Sequence, residues 1–466
     1  MVRPCVSALL SMKQTENIDK RTRTIVTIIL LVTCFMSLMS QTMMVTALPV
    51  IQKDLNVSMN AAQWLTTGYT LIIGVVTPLS SNMYDKFTNR HVFLTTLGIF
   101  IVGTLLGCFA TNFATLLLAR LVQACASGML MSFQMTTMIS IYPPEKRGSI
   151  LGLSSLVISV GPALGPTISG LILQVLSWRY LFILVLPFMD LAWIAAYFKL
   201  SNYSQQKPIK IDFLSVMISL LGTSLTLGSM TAFIVNIWLG LLMLVSGLLV
   251  LTVFVRRQLH LENPMLKVQI FLKPSFCLMT IVTICAFMIM LGTEQMMPIF
   301  TENVQGISSF VSGMVLLPGA FCNAIIAPIA GHWYDEHGPK LPIFTGFAFI
   351  ILASIPLVTV SHSTPLWLLT CAYALRMAGN GLIFGPALSE AFTHLSLAEN
   401  SHGTALNNSL RQCFGAISVT MLVVISNLPS SLLVGVRASL WVTVGLACLM
   451  IITFIYYLSV NNCLKE

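Results

Sequence analysis

The sequence predicts an all-α integral membrane protein: two six-helix bundles with two further helices between them, fourteen transmembrane helices in all. Three observations predict it. These are a composition that water cannot solvate, a series of apolar runs long enough to cross a bilayer, and an internal repeat.

Composition comes first. The chain has 466 residues, of which 24 are Lys or Arg and 15 are Asp or Glu, so only 8% are charged. A soluble domain carries about 25%. Hydrophobic residues make up 56%, and the mean hydropathy is +0.89. An ordinary soluble enzyme, a disordered chain and a fibrous chain are all excluded. The 11 cysteines sit mostly in apolar stretches without metal-ligand spacing, and are read as small buried hydrophobes. No cleavable signal opens the chain, because Lys13 closes the weakly apolar residues 6–12. Met12 is read as a more usual start.

About 20 apolar residues at 1.5 Å each cross the hydrocarbon core. Fourteen such runs occur, at 25–49, 62–83, 91–110, 115–141, 148–174, 179–198, 212–234, 237–255, 275–299, 308–330, 341–360, 365–390, 405–427 and 437–459. Only Asn236 separates the seventh from the eighth. Counting Lys and Arg on alternate sides gives 18 on the side of the termini and 3 (Lys53, Arg179, Arg437) on the other. Arg120, Arg376 and Arg411 lie within runs. Positive charge marks the cytoplasmic side, so both termini are expected in the cytoplasm of a plasma membrane. The same bias accounts for the net charge of +9 without nucleic acid as a partner.

The second half of the chain echoes the first. TPLSSNMYDKF from Thr77 and APIAGHWYDEH from Ala327 place Pro78 and Pro328, Tyr84 and Tyr334, and Asp85 and Asp335 each 250 apart. Pro49 and Pro298 are 249 apart, and Arg120 and Arg376 are 256 apart. The expected organisation is a cytoplasmic N-terminus (1–24), a six-helix bundle (25–199), two helices with basic linkers (200–274), and a second bundle with a short tail (275–466). Two parallel repeats about the membrane normal are a transporter architecture, with the substrate site between the halves.

Several segments carry a resemblance. These are AAQWLTTGYTL from Ala61, SSNMYDKFTNRHVFL from Ser80, and LLLARLVQACASGML with Arg120. GPALGPTISG from Gly161 to Gly170, SWRYLF from Ser177 and SLRQCFGAIS from Ser409 complete the set. With them the chain resembles the major facilitator superfamily, and within it the fourteen-span drug:proton antiporters. The resemblance implies the major facilitator fold and a monomer in the lipid bilayer. It also implies a small-molecule substrate, a proton gradient as energy source, and no cofactor or metal.

The loop after the second span resembles the family's Gly-x-x-x-Asp-x-x-Gly pattern through Asp85, Lys86 and Arg90, with Ser81 and Thr88 in the glycine slots. Its second copy keeps Gly331, Asp335 and Gly338. An acid at a helix end can pair with basic groups on a neighbouring helix and hold one conformer. Arg120 resembles the family's Arg-x-x-Gln-Gly, with Ala124 in the glycine slot. An arginine inside the membrane is costly and is kept for a partner or a path, unless it snorkels to the interface. In the fifth span Gly161 and Gly165 admit a close neighbour, and Pro162 and Pro166 remove backbone donors. Together with Gly170 they suggest a bendable helix at the interface between halves.

One departure bears on coupling. The family's first span ends in an Asp-x-Thr…Ala-Leu-Pro pattern. Here SQTMMVTALP runs from Ser40 to Pro49, with Ser40 in the acid slot and Gln41 beside it. The usual proton carrier is therefore missing. Among the acids within runs, Asp190 is on a peripheral span and Glu390 is at an inner end, leaving Glu294, at the position equivalent to Val45. A desolvated carboxyl can exchange a proton near neutral pH, and Arg120 and Arg411 would modulate it if they face it. The methionines at 36, 39, 43 and 44, and at 288, 290, 296 and 297, suit either an adaptable cavity or plain core. The expected function is export of small amphipathic compounds in exchange for protons. The alternatives are a transporter of one metabolite without protons and a non-transporting receptor or scaffold. No nucleophile–base pair, metal pattern or phosphate loop points to an enzyme.

Overall fold

The computed structural model describes residues 19–143, 146–202, 212–261, 264, 266–393, 395–429 and 431–463. All regular structure among them is helical. In hydrocarbon no water is at hand for free N–H and C=O groups, so an unclosed chain must satisfy them within helices.

The helices follow the apolar runs. They are α1 (Lys20–Asp54), α2 (Met59–Val76), α3 (Ser80–Lys86), α4 (Asn89–Cys108), α5 (Phe113–Ile141), α6 (Arg147–Val175), α7 (Arg179–Lys199) and α8 (Phe213–Val235). Then come α9 (Ile237–His260), α10 (Pro274–Pro298), α11 (Ser309–His337), α12 (Lys340–Val358), α13 (Leu366–Phe392), α14 (Leu397–Asn427) and α15 (Leu432–Cys463). Twelve helices among the described residues are long and apolar enough to cross a membrane. The expected count of fourteen is not reached on that criterion among the described residues. Around Pro78 the second run turns into a 3-10 segment, Thr77–Leu79, which splits it into α2 and α3. α8 spans 23 residues, and its described residues form an apolar stretch over Leu214–Ser229.

Short polar residues start the helices where the apolar runs begin. Ser58, Thr88 and Asn112 accept from the backbone N–H three residues on, at 3.2, 3.2 and 2.9 Å. Asn236 caps α9 after the tight joint with α8, and Ser396 with Glu399 forms a capping box on α14. Gly338, at φ 75°, ends α11 in a conformation only glycine adopts readily.

One buried apolar cluster lies wholly within residues 26–200. A second joins α10–α15 and crosses onto Cys34 and Leu38 of α1, Tyr69 and Ile73 of α2, Met131 and Met135 of α5, and Leu151 and Val157 of α6. The halves are thus packed against each other, chiefly α6 on α11 and α13, and α5 on α14. The α8–α9 pair covers the joint, with α8 touching both α2 and α14. The methionines of α1 and α10 are buried, all but Met288 within these clusters. The reading of all cysteines as buried fails at Cys371 and Cys448, which are exposed on the outside of the helices.

One end of the assembly gathers the start of α1, the ends of α3, α5, α11, α13 and α15, and the starts of α6 and α14. Tyr142, after α5, bonds Thr27 of α1 at 2.9 Å. Most of the described Lys and Arg residues flank this end, called here the basic face. Asp212 and Arg257 join α8 to α9 there at 2.8 Å. Burial alone would raise the Asp212 carboxyl, but hydrogen bonds from Ser215 and Arg257 and the Arg257 charge hold it below the usual range.

Candidate functional site

At the basic face two carboxylates bridge the halves. Asp335, near the end of α11, accepts from Gly148 N–H at 2.8 Å, Ser149 N–H at 2.9 Å and the Ser149 hydroxyl at 2.6 Å. Its repeat counterpart, Asp85, at the end of α3, accepts from the Ser401 hydroxyl at 3.0 Å and lies 3.2 Å from His402 Nε2. Each acid therefore rests on the first turns of the fifth helix of the opposite half. The partners of Asp335 are not the basic side chains expected from the sequence. They are backbone amides, where the partial positive charge of a helix N-terminus favours an anion. Bonds to a charged group contribute roughly 1.5–3 kcal/mol each where water is scarce. Lys86 and Arg90 take no part: Lys86 lies over the Phe87 ring at 5.4 Å, and Arg90 over Tyr197 at 4.8 Å within its own half.

Close contact between the halves comes from glycines. A Cβ on Gly331 would stand 2.3 Å from Gly148 O, and one on Gly152 would stand 2.5 Å from Ala327 O. Gly161 and Gly165 are placed otherwise. Their Cβ atoms would meet α1 of the same half, with Met39 O 2.9 Å and Thr42 Oγ1 2.1 Å from that of Gly165. Ser169 of α6 donates to Met43 O at 2.8 Å. The helix is at the interface as expected, but these two glycines seat it on α1. It runs unbroken through Pro162 and Pro166, and Gly170 has open space around its Cβ position.

Arg120 does not snorkel. It is fully buried on α5, 3.9 Å from the centre of the Tyr69 ring. Its Nη1 donates to Ser40 Oγ at 3.3 Å, Ser40 O at 3.4 Å and Gln123 Oε1 at 2.9 Å, and its Nε donates to Leu65 O at 3.4 Å. The Ser40 side chain at the family's acid slot thus touches the arginine directly, and no carboxylate replaces the missing one among the described residues. Gln41 turns aside to Thr70 at 3.4 Å.

Glu294 is half-buried on α10, towards the end away from the basic face. No hydrogen bond or ion pair holds it among the described residues. Neither Arg120 nor Arg411 pairs with it, contrary to the arrangement considered from the sequence. Tyr373 of α13 is within electrostatic reach of both Glu294 and Arg376. Arg376 itself is packed inside the second half, donating to Ser354 at 3.1 Å and Thr443 at 2.6 Å. Asp190 is exposed on the outside of α7, and Glu390 is held by the hydroxyls of Tyr334 and Tyr457.

Arg411 is buried midway along α14, at the joint between halves. Its Nη2 donates to Asn408 Oδ1 at 2.7 Å. The guanidinium carbon is 5.2 Å from the Phe287 ring centre and 4.9 Å from that of Phe384. Asn408 in turn donates to Ser132 of α5 at 3.2 Å, and Asn407 donates to Thr283 of α10 at 3.1 Å. Asn380 of α13 is also buried, near Met290. Sequence reading missed this mid-membrane polar band. Its asparagines lie in polar stretches of the thirteenth and twelfth runs without a motif spacing. It also missed His402, Gly148 and Gly152.

Comparison with known proteins gives a consistent picture. The family model described as Major Facilitator Superfamily matches residues 30–420. An uncharacterized MFS-type transporter, YcnB of Bacillus subtilis (strain 168), is 37% identical over 409 residues, covering 87% of each chain. The lincomycin resistance protein LmrB of Listeria innocua is 33% identical over 394 residues, covering 84% of each. Among solved structures, the proton:xylose symporter XylE aligns with a TM-score of 0.67 at 11% identity, over 95% of this chain and 96% of that one, a likeness of fold.

Proposed function

The chain belongs to the major facilitator superfamily, and on that premise we propose that it is a secondary active transporter that exports small amphipathic compounds in exchange for protons. In this reading the basic face is cytoplasmic, in a plasma membrane. The two bundles rock about the site between them.

The observation that carries the reading is the pair of carboxylate latches. Asp85 on Ser401 and His402, and Asp335 on Gly148 and Ser149, are equivalent contacts across the repeat, both at one face. Breaking them opens that face without unfolding either bundle, which is what alternating access requires. Gly161, Pro162, Gly165, Pro166 and Gly170 shape the helix that must re-pack during that motion. Similarity to a lincomycin resistance protein supports drug export. Glu294, half-buried and without a hydrogen-bond or ion-pair partner among the described residues, is the proposed proton carrier.

A second reading has its own observation. Ser40 stands against Arg120 where an antiporter of the family has an acid. A facilitator of one metabolite, without protons, needs no carrier there. Everted membrane vesicles with an acid interior distinguish these readings. Of radiolabelled amphipathic compounds offered as anion, neutral and cation, at least one should accumulate under the imposed gradient and leak away when nigericin collapses it. Accumulation that ignores the gradient selects the facilitator, and no transport of any amphipathic compound overturns both.

A further inference from the structure

We propose that Arg411 is the recognition point for a negatively charged group on the substrate, so that this transporter prefers aromatic monoanions, such as arene carboxylates, over neutral or cationic compounds of the same shape. This deepens the reading of the protein as a transporter of amphipathic compounds and rests on it.

Three buried arginines lie in the described membrane-spanning part; Arg120 and Arg376 each leave one nitrogen without a hydrogen bond, Nη2 and Nε respectively, whereas Arg411 leaves two. Arg120 is held by two backbone carbonyls, Ser40, Gln123 and the Tyr69 ring, all in the first half. Arg376 is held by Ser354 and Thr443, both in the second half. These contacts fix each arginine inside one bundle. Arg411 has a single hydrogen-bond acceptor, Asn408, on its own helix. Its Nε and Nη1 are buried and bond to nothing among the described residues. No carboxylate among the described residues pairs with it. A buried charge with unused donors is the least favourable kind of polar group to leave so, unless something else completes it.

Its position says what that is. Asn408 and Gln412, one on each side of Arg411 in the sequence, reach Ser132 and Met131 of the opposite half. Cys34 of α1 is within electrostatic reach. Helices α1, α10, α13 and α14 therefore converge on the guanidinium, with α5 against its neighbours Asn408 and Gln412, at mid-membrane, where a substrate must pass in any exchange between faces. The Phe287 and Phe384 rings flank it. They offer a planar apolar body a place to stack, while the guanidinium offers its charge and free donors to an anionic end. A cation brought to the same place meets an unneutralised positive charge and is disfavoured.

The test is equilibrium binding to the purified full chain in detergent, with tritiated 2-naphthoate as the probe. The competitors are 2-naphthylmethanol (neutral) and 2-naphthylmethylamine (cationic). Wild type should bind naphthoate and should require about tenfold more of the alcohol, and more still of the amine, to displace it. Arg411→Met should lose this order. Should that variant fail to fold, Asn408→Asp serves instead. It keeps the arginine, sets a carboxylate against it, and should abolish naphthoate binding. No naphthoate binding by wild type overturns the proposal, as does an unchanged preference in either folded variant. Because binding needs no gradient, a failure here leaves drug:proton exchange standing. Equally, a failure of proton-driven transport leaves this result intact.

Discussion

Asp335 and Ser149 are joined twice: both the backbone N–H and the hydroxyl of Ser149 donate to Oδ2, at 2.9 and 2.6 Å. The pair links the end of α11 to the first turn of α6, that is, one half to the other. Asp335→Asn keeps the shape and removes the charge, so the contact should weaken without loss of the fold. We expect a shift of about 1–3 kcal/mol toward the state with an open basic face, the usual size of such couplings. Spin labels at the exposed Lys199 and Lys340 positions, one on each half, would report it as a longer distance. An unchanged distance distribution would mean that Asp335 is a surface charge and no latch.

Glycine substitutions should fall into two classes. Gly331→Ala sets a methyl 2.3 Å from Gly148 O and wedges the halves apart at the basic face. Gly165→Leu crowds Thr42 and Met39 O, so it disturbs the seat of α6 on α1 within one bundle. Both should cut transport by about tenfold or more with little loss of inserted protein, since a packed surface that must slide tolerates no added bulk. Only Gly331→Ala should lengthen the Lys199–Lys340 distance. Gly170→Ala, with nothing within 4 Å, should behave as wild type. A well-expressed Gly165→Leu protein with normal transport contradicts the role given to that helix.

The charge bias alone sets the expected orientation. A reporter fused after Glu466 should fluoresce as a cytoplasmic green fluorescent protein does, and an alkaline phosphatase fusion at the same place should be inactive. Active phosphatase there would reverse the faces, and with them the direction of every step proposed above.

These tests differ in how far the sequence could lead to them. The helices were legible because an unclosed chain in lipid must satisfy its backbone within helices, and Pro78 splits the second run. Asp85 and Asp335 were legible as a repeated pair. What Asp335 binds was not, because a helix N-terminus is made of amides that every residue carries. Gly148 and Gly152 of α6 and Gly331 of α11 form the seam between halves; the two on α6 are four apart, but the helix they meet lies far along the chain, whereas the compact GPALGP stretch stood out and seats α6 on α1. Arg411 was read as a possible neighbour of Glu294. Only the fold shows that it instead meets Phe287 and Phe384.

Coupling is where the chain departs from the antiporter pattern it resembles, and there the prediction is sharpest. Ser40 cannot carry a proton near neutral pH, and it lies against Arg120, whose charge no acid in the described residues offsets. Antiport therefore needs a carboxyl elsewhere. Asp190 faces outward, and Glu390 is tied down by Tyr334 and Tyr457 near the basic face. Glu294 remains. It is half-buried, free of partners among the described residues, and near Tyr373, on the first helix of the second half. If it alternates between a protonated and a charged, substrate-competing form, Glu294→Gln should abolish transport driven by an imposed pH gradient. Exchange of labelled for unlabelled substrate without a gradient should survive at close to the wild-type rate. Glu390→Gln should leave gradient-driven transport within about twofold, because that carboxyl serves a static contact. A wild type indifferent to the gradient rules out antiport itself. A Glu294→Gln protein that still follows the gradient removes Glu294 as the carrier and leaves the question to an acid outside the membrane-spanning helices.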